Sequence, residues 1–298
     1  MDDRVYEPQV MVVISGEEIV EFVTSIFVFS AMFSMGLKLS VKQLINALRT
    51  RRLLVNSLAV NIVAVPIIAY FLVQIVSVET GLAAGILLLA VSPGAPFGPK
   101  LAEISDSNVA FASGLMAILC ILSVVSIPIS LLLLLPGDAA VDPLAIGRLV
   151  LVVQLVPLLL GLGISFASPS LAERLYWLFK RLSDYTFAGL IVVLLVVYSD
   201  SMVSLVGTGT LGVSTVVVGA SLMLGYYLGG PAQGTREVLA TTTAARNAAT
   251  ALFISTTGFS DSNVLTAVLA FSFIGVVGSG LIASVWRRQP AGSASSHG

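Results

Sequence analysis

The residue whose presence most needs explaining is Arg246, in the stretch Ala240-Thr241-Thr242-Thr243-Ala244-Ala245-Arg246-Asn247-Ala248-Ala249-Thr250. The stretch lies in a long apolar region, and a charge at the centre of a membrane helix costs about 2.5–3.5 kcal/mol on insertion scales. Thr242 and Arg246 are four residues apart and share a helix face, and Thr243 and Asn247 share the neighbouring one. Two uses fit. Arg246 holds an anionic substrate or serves as a fixed cation, or it pairs with an acid such as Glu103 or Asp200 and locks a bundle. A second cation, Lys100, either reaches into a cavity on its flexible stem or snorkels to the surface near Glu103 and Asp106. Asn61, inside Ala59-Val60-Asn61-Ile62-Val63-Ala64-Val65-Pro66, carries an amide that needs partners in lipid, for binding or for helix packing. No metal-spaced His/Cys set, Ser–His pair or phosphate loop occurs, so neither an enzyme nor a resident metal or cofactor is expected. The single Cys120 reads as a buried small apolar residue, and His297 sits in a polar tail.

Elements must bring these residues together. The apolar run 81–91 ends in Ser92-Pro93-Gly94-Ala95-Pro96-Phe97-Gly98-Pro99-Lys100. Proline removes a backbone donor and clashes with the preceding turn, and glycine gives little helical commitment. Broken backbone at membrane depth survives only where it is buried in protein or lines a wet cavity. Interrupted helices of this kind build transporter sites. This makes Gly94, Pro96, Gly98, Pro99 and Lys100 candidate binding positions, alongside Asn61, Thr241, Thr242, Arg246 and Asn247.

The composition names the solvent. Of 298 residues 57% are hydrophobic and 10% charged, mean hydropathy is +1.02, and a soluble domain carries about 25% charged residues. An all-α integral membrane protein follows, with the lipid bilayer as its partner. The net charge of −1 gives no case for nucleic acid. About nine spans of roughly 20 residues are predicted, near 18–38, 52–76, 80–104, 107–135, 144–167, 185–207, 211–230, 236–257 and 261–285. The third is the broken one. Lys38, Lys42, Arg49, Arg51, Arg52, Arg174, Lys180, Arg181, Arg236, Arg287 and Arg288 then fall on one side. Most acids (Asp2, Asp3, Glu7, Glu17, Glu18, Glu79, Asp138, Asp142, Asp200, Asp261) fall on the other, with Arg4. The positive-inside rule places the amino terminus outside and the carboxyl terminus in the cytoplasm. The first eighteen residues are acidic and lack a basic n-region, so no cleavable signal is expected.

Ser105-Asp106-Ser107-Asn108-Val109 recurs as Ser260-Asp261-Ser262-Asn263-Val264, once on each predicted side. Each copy could simply cap a helix. The pair also predicts an inverted repeat, 18–135 against 185–285, with 144–167 as connector, flanked by an outside segment 1–17 and a cytoplasmic tail 286–298.

The motifs resemble a known family. Phe33-Ser34-Met35-Gly36-Leu37-Lys38-Leu39 followed by a basic loop, Pro66-Ile67-Ile68-Ala69-Tyr70 with Asn61 ahead of it, Ser92-Pro93-Gly94-Ala95, and Arg246-Asn247 are together similar to signatures of the bile acid:sodium symporter family. The resemblance implies a core domain with two crossing discontinuous helices, spans three and eight. It also implies a panel of spans one, five and six, and a substrate cavity between the two domains. It further implies that two sodium positions have lost their ligands, at Gly98, Pro99, Ala112, Met116, Thr242 and Arg246, since Na⁺ wants oxygen ligands and preferably a carboxylate.

The expected function is therefore transport of a small or amphipathic organic anion by alternating access, with the positive charge of Arg246 in place of a mobile ion. Two alternatives stand beside it. One is a membrane receptor on the same fold that binds without cycling. The other is a conventional sodium-coupled symporter with altered ion ligands.

Overall fold

The computed structural model describes residues 16–135, 142–197 and 203–287. Asp2, Asp3, Arg4, Glu7, Asp138, Asp200, Arg288 and His297 lie outside the described residues, as do most of segments 1–17 and 286–298. Among the described residues the chain is helical, with no strand. The helices are α1 (Gly16–Lys38), α2 (Val41–Arg49), α3 (Arg51–Val76), α4 (Thr80–Ala90), α5 (Gly98–Ile104), α6 (Val109–Leu134), α7 (Leu144–Ala167), α8 (Pro169–Val197), α9 (Thr210–Leu228), α10 (Gln233–Ala245), α11 (Ala248–Gly258) and α12 (Ser262–Trp286). By length and composition α3, α6, α7, α9 and α12 suffice to cross a membrane. Shorter apolar helices occupy Phe22–Lys38 and Thr80–Ala90. Among the described residues five full-length candidates thus stand where the sequence predicts about nine spans.

Local chemistry sets the boundaries. Ser40 and Gln43 form a reciprocal capping box at the start of α2, with N···O distances of 3.2 and 2.9 Å. The two copies of the five-residue repeat each open a helix, using different members as the cap. Asn108 Oδ1 accepts from Phe111 N–H at α6 (2.9 Å), and Asp261 Oδ1 accepts from Asn263 N–H at α12 (2.9 Å).

One expectation is corrected. Residues 168–184, which fall between the predicted spans 144–167 and 185–207 with Arg174, Lys180 and Arg181, are the first half of α8, which runs unbroken for 29 residues. Pro169 is its first residue, where its fixed φ helps and its missing N–H does no harm. Ala172, Tyr176, Phe179, Ser183 and Phe187 then recur at helical spacing. Ala172, Tyr176 and Phe179 pack with Phe33 and Leu37 of α1. Phe33–Phe179 and Phe27–Phe187 ring centroids are 4.6 and 5.0 Å apart. Arg174 and Arg181 remain exposed on the opposite face, so basic residues decorate a packed helix without interrupting it.

α1 packs most extensively on α7 and α8. Two glycines bring α1 and α7 into contact. A Cβ on Gly36 would stand 3.0 Å from Leu162 N, and one on Gly161 would stand 2.8 Å from Leu37 N. Small residues let membrane helices approach to backbone contact, which gives Gly36 a packing role. At the centre, every residue from Gly81 to Ala90 of α4 and from Glu237 to Ala245 of α10 is buried. A helix such as α4 that is apolar all round belongs inside a bundle, whereas α10 carries Glu237, Thr241, Thr242 and Thr243 into the same interior. α4 lies against α12 and α3, and α10 against α9 and α12. Phe71, Ile75, Leu132, Leu133, Phe166 and Leu281 stay exposed on the outer helices.

Candidate functional site

Two helix interruptions meet in the middle of the molecule. α4 ends at Ala90, and Ser92–Ala95 run on as buried coil until α5 opens at Gly98. Gly94 has φ +88°, a value that favours glycine. α10 ends at Ala245 and α11 begins at Ala248, leaving Arg246 with φ +46°. No proline or glycine causes this second break. The two breaks touch directly, Asn247 N–H donating to Ser92 C=O at 2.8 Å.

The Arg246 side chain is 1% exposed, and its donors go to oxygens of the backbone and of one amide. Nε donates to Leu89 C=O (3.4 Å), Nη1 to Asn61 Oδ1 (3.0 Å), and Nη2 to Asn61 C=O (2.9 Å) and Ala90 C=O. Leu89 and Ala90 end α4, whose last carbonyls lack partners within the helix and carry the negative end of its dipole. Asn61 offers its carbonyl for a different reason. It lies in a π-helical turn, Ala59–Ala64, where Val65 N–H reaches back five residues to Val60 C=O. The next donor in that register would serve Asn61 C=O, but the next residue is Pro66, which has none. The guanidinium fills that gap. Asn61 Nδ2 donates to Ser57 C=O (2.9 Å) and Thr243 Oγ1 (3.1 Å), so its amide is fully used. Among the described residues no carboxylate pairs with Arg246. Glu103 pairs elsewhere, and Asp200 lies outside the described residues.

A second amide, not singled out from the sequence, holds Asn247. Gln154 sits in another π-helical turn, Leu151–Leu155, which like the first is followed closely by a proline, Pro157. Its Oε1 accepts from Asn247 Nδ2 (3.0 Å) and from Thr250 Oγ1, while its Nε2 donates to Cys120 C=O (2.8 Å) and Ser123 Oγ. Asn247 Oδ1 caps α11 through Thr250 N–H (3.1 Å). The argument that marks Asn61, an amide in a long apolar run, marks Gln154 equally. Glu237 was missed as well. It is fully buried, and its carboxylate accepts from Gln233 Nε2 (2.8 Å) and Ser107 Oγ.

Open space lies elsewhere, in a cleft of about 260 Å³ between α1, α8 and the 96–103 segment. Its walls include Ser34, Met35 and Lys38 of α1, then Pro96, Phe97, Pro99, Lys100 and Glu103, with Tyr176, Lys180 and Asp184 of α8. Glu103 Oε1 accepts from Lys38 Nζ at 3.1 Å and Oε2 from Lys100 Nζ at 3.0 Å. Lys38 Nζ also stands 5.2 Å from the Tyr176 ring centroid, and Lys180 pairs with Asp184 at 2.6 Å. Phe97 packs at a tilt against Phe187 of α8 with centroids 5.2 Å apart. Of the sequence-predicted site residues, the cleft therefore gathers Pro96, Pro99 and Lys100. Asn61, Gly94, Gly98, Thr241, Thr242, Arg246 and Asn247 are buried behind it.

The profile described as Sodium Bile acid symporter family matches residues 25–208. The chain belongs to the sodium bile acid symporter family. Comparison with curated proteins finds no match. The matched segment runs from α1 past α8 and includes the first helix break, the cleft-lining residues and Gln154, whereas Arg246 and Asn247 lie beyond it. Membership together with five long apolar helices makes this a multi-pass membrane protein of the transporter type.

Against that family background, three of the positions read as altered come together in space. A Cβ on Gly98 would lie 2.8 Å from Met116 Cγ and 2.9 Å from Thr242 Cγ2. Thr242 turns its methyl to this contact and donates its hydroxyl to Val238 C=O at 2.5 Å. Ala112 is fully buried one turn before Met116. The side chains meeting here are a thioether, a methyl and a glycine with no side chain at all. A hard cation needs oxygen ligands, and these groups do not fit one.

Proposed function

We propose that the protein is a sodium-independent transporter that moves an organic anion across a cell membrane by alternating access. The observation carrying this reading is the Arg246 guanidinium, which fills an oxygen-lined cage at the meeting of the two breaks. Three backbone carbonyls and an amide oxygen are what a small cation would require there. Arginine supplies a charge that neither dissociates nor loses its proton. The site then needs no mobile ion, and the apolar contact of Gly98, Met116 and Thr242 offers none a place. In this reading Asn61, Thr241, Thr242 and Asn247 build the scaffold around the fixed charge, while Gly94, Pro96, Gly98, Pro99 and Lys100 shape the path of the anion.

An inverted repeat and a nine-span plan are part of the proposal. The two copies of the five-residue motif stand 155 positions apart (105 to 260). The same offset carries Ala90, the last residue of α4, onto Ala245, the last of α10. It carries Ser92 onto Asn247, the pair bonded across the breaks. Each copy also docks at the start of the other half's broken helix. Ser107 Oγ donates to Glu237 near the start of α10, and Asn263 Nδ2 donates to Glu79 just before α4, at 3.2 Å. Such reciprocity is expected of two halves related by a pseudo-twofold axis. α1, α7 and α8 form the panel. The end bearing Lys38, Lys180 and Arg236 faces the cytoplasm by the positive-inside rule.

The test is counterflow of a radiolabelled organic anion in proteoliposomes, with Na⁺ or choline as the only external cation. Equal rates are expected. A steep Na⁺ requirement overturns sodium independence, and anion binding without any flux overturns transport in favour of a receptor.

A further inference from the structure

We infer that Glu103 is a tethered stand-in for the substrate's acid group, and that the cleft takes small organic monoanions; this rests on the transport reading above. The argument begins with geometry. One carboxylate presents one oxygen to each of two lysines that reach it from different elements, Lys38 at the end of α1 and Lys100 on α5. That is how a bound carboxylate or sulfonate would be gripped across the cleft. Glu103 is 36% exposed, and Lys38 and Lys100 are 47% and 58% exposed. Ion pairs this open are weak and exchangeable, so a free anion can take over both lysines while Glu103 swings into water.

Charge sets the valence. Lys180 and Asp184 neutralise each other across 2.6 Å. The remaining trio of two lysines and one glutamate carries one net positive charge, which one monoanion balances. Volume sets the size. About 260 Å³ lies below the roughly 300–1,000 Å³ of pockets that hold drug-sized ligands, so the fit is a compact acid. Tyr176, Phe97 and Met35, which line the cleft, give its organic part apolar contact. The exchange has a mechanical consequence. The Lys38–Glu103 bridge ties α1 to α5, and an anion that displaces Glu103 replaces this fixed tie with one that leaves with the substrate.

The experiment uses purified full-length protein and three probes: benzoate as a small monoanion, phthalate as a dianion of similar size, and taurocholate as a large monoanion. Binding is read by calorimetry at low and high salt. Benzoate is expected to bind best. Glu103→Gln, which keeps the side-chain volume, is expected to tighten benzoate about tenfold by removing the competing charge. Lys38→Met and Lys100→Met are each expected to weaken it about tenfold or more. Benzoate affinity that is unchanged or weaker in Glu103→Gln overturns the stand-in role. Tighter binding of phthalate or taurocholate overturns the monoanion or size assignment. Counterflow separates this inference from its foundation. Benzoate that binds as described but does not exchange refutes transport and leaves the subsite standing, whereas exchange of taurocholate alone supports transport and refutes the subsite.

Discussion

Arg246 and the Lys38–Lys100 pair are both cations meeting oxygens, yet they are built in opposite ways. Arg246 is sealed, has no acidic partner among the described residues, and spends its donors on Leu89, Ala90 and Asn61. The lysines are half-exposed, share one carboxylate, and border open space. A guanidinium among carbonyls in a dry interior cannot exchange them for water and so behaves as part of the fold. An ammonium over a wet cleft exchanges its partner at little cost. Among the described residues, therefore, the buried guanidinium holds the broken helices in place, and the half-exposed lysines are the ones the proposal above assigns to a ligand.

Removing the buried cation should produce the largest effect. Arg246→Ala strands four buried acceptors, two of them at the end of α4, and is expected to lose about 3–5 kcal/mol of stability, read as the unfolding midpoint in detergent. Methylguanidinium at millimolar concentration should restore part of that loss. If the variant unfolds with the parent, Arg246 is not the clamp described here. Next comes Asn61→Leu, which removes one acceptor for the guanidinium and the donors to Ser57 and Thr243, for a loss of about 2–3 kcal/mol. Gln154→Leu sharpens the contrast from the other break. It frees Asn247 and Thr250 and is expected to cost about 2 kcal/mol, with a stronger effect on α11 protection in hydrogen exchange than on α3.

The lysine side of the comparison should barely register in stability. Glu103→Gln is expected to change it by less than about 1 kcal/mol and Lys180→Ala by less than about 0.5 kcal/mol, in the same unfolding assay. A drop for Glu103→Gln as large as that for Arg246→Ala would erase the distinction between clamp and exchangeable contact.

Much of the site was legible residue by residue. The cost of charge and amide groups in lipid flags Arg246 and Asn61, and three prolines with two glycines flag the break after Val91. What they bond to was less legible. Beside an anionic substrate, the sequence offers Arg246 only acids such as Glu103 or Asp200 as partners, because acids are visible as letters, whereas the carbonyls of Leu89, Ala90 and Asn61 carry no signature in a sequence. Pro66 hinted at one of them, since it leaves a carbonyl without its donor. The cleft was read only in part, through Pro96, Pro99 and Lys100. Lys38, Glu103 and Tyr176 come from three separate segments, and nothing local ties them together. Residues 168–184 look like a loop in the sequence because their charges mask the stripe from Ala172 to Phe187 that packs on α1.

Composition and the length of the apolar runs settle the solvent and the helical class, the backbone limits of proline and glycine mark the first break, and the motifs at Phe33–Leu39, Pro66–Tyr70 and Ser92–Ala95 carry the family resemblance. The second break, the partners of Arg246 and the position of the cleft were decided by tertiary structure. There is no helix breaker between Ala245 and Ala248. The chain leaves the helix there because Ser92, Asn61, Gln154 and the end of α4 together offer the backbone and side chains of Arg246 and Asn247 more hydrogen bonds than a continued helix would, and those groups meet only once the chain has folded.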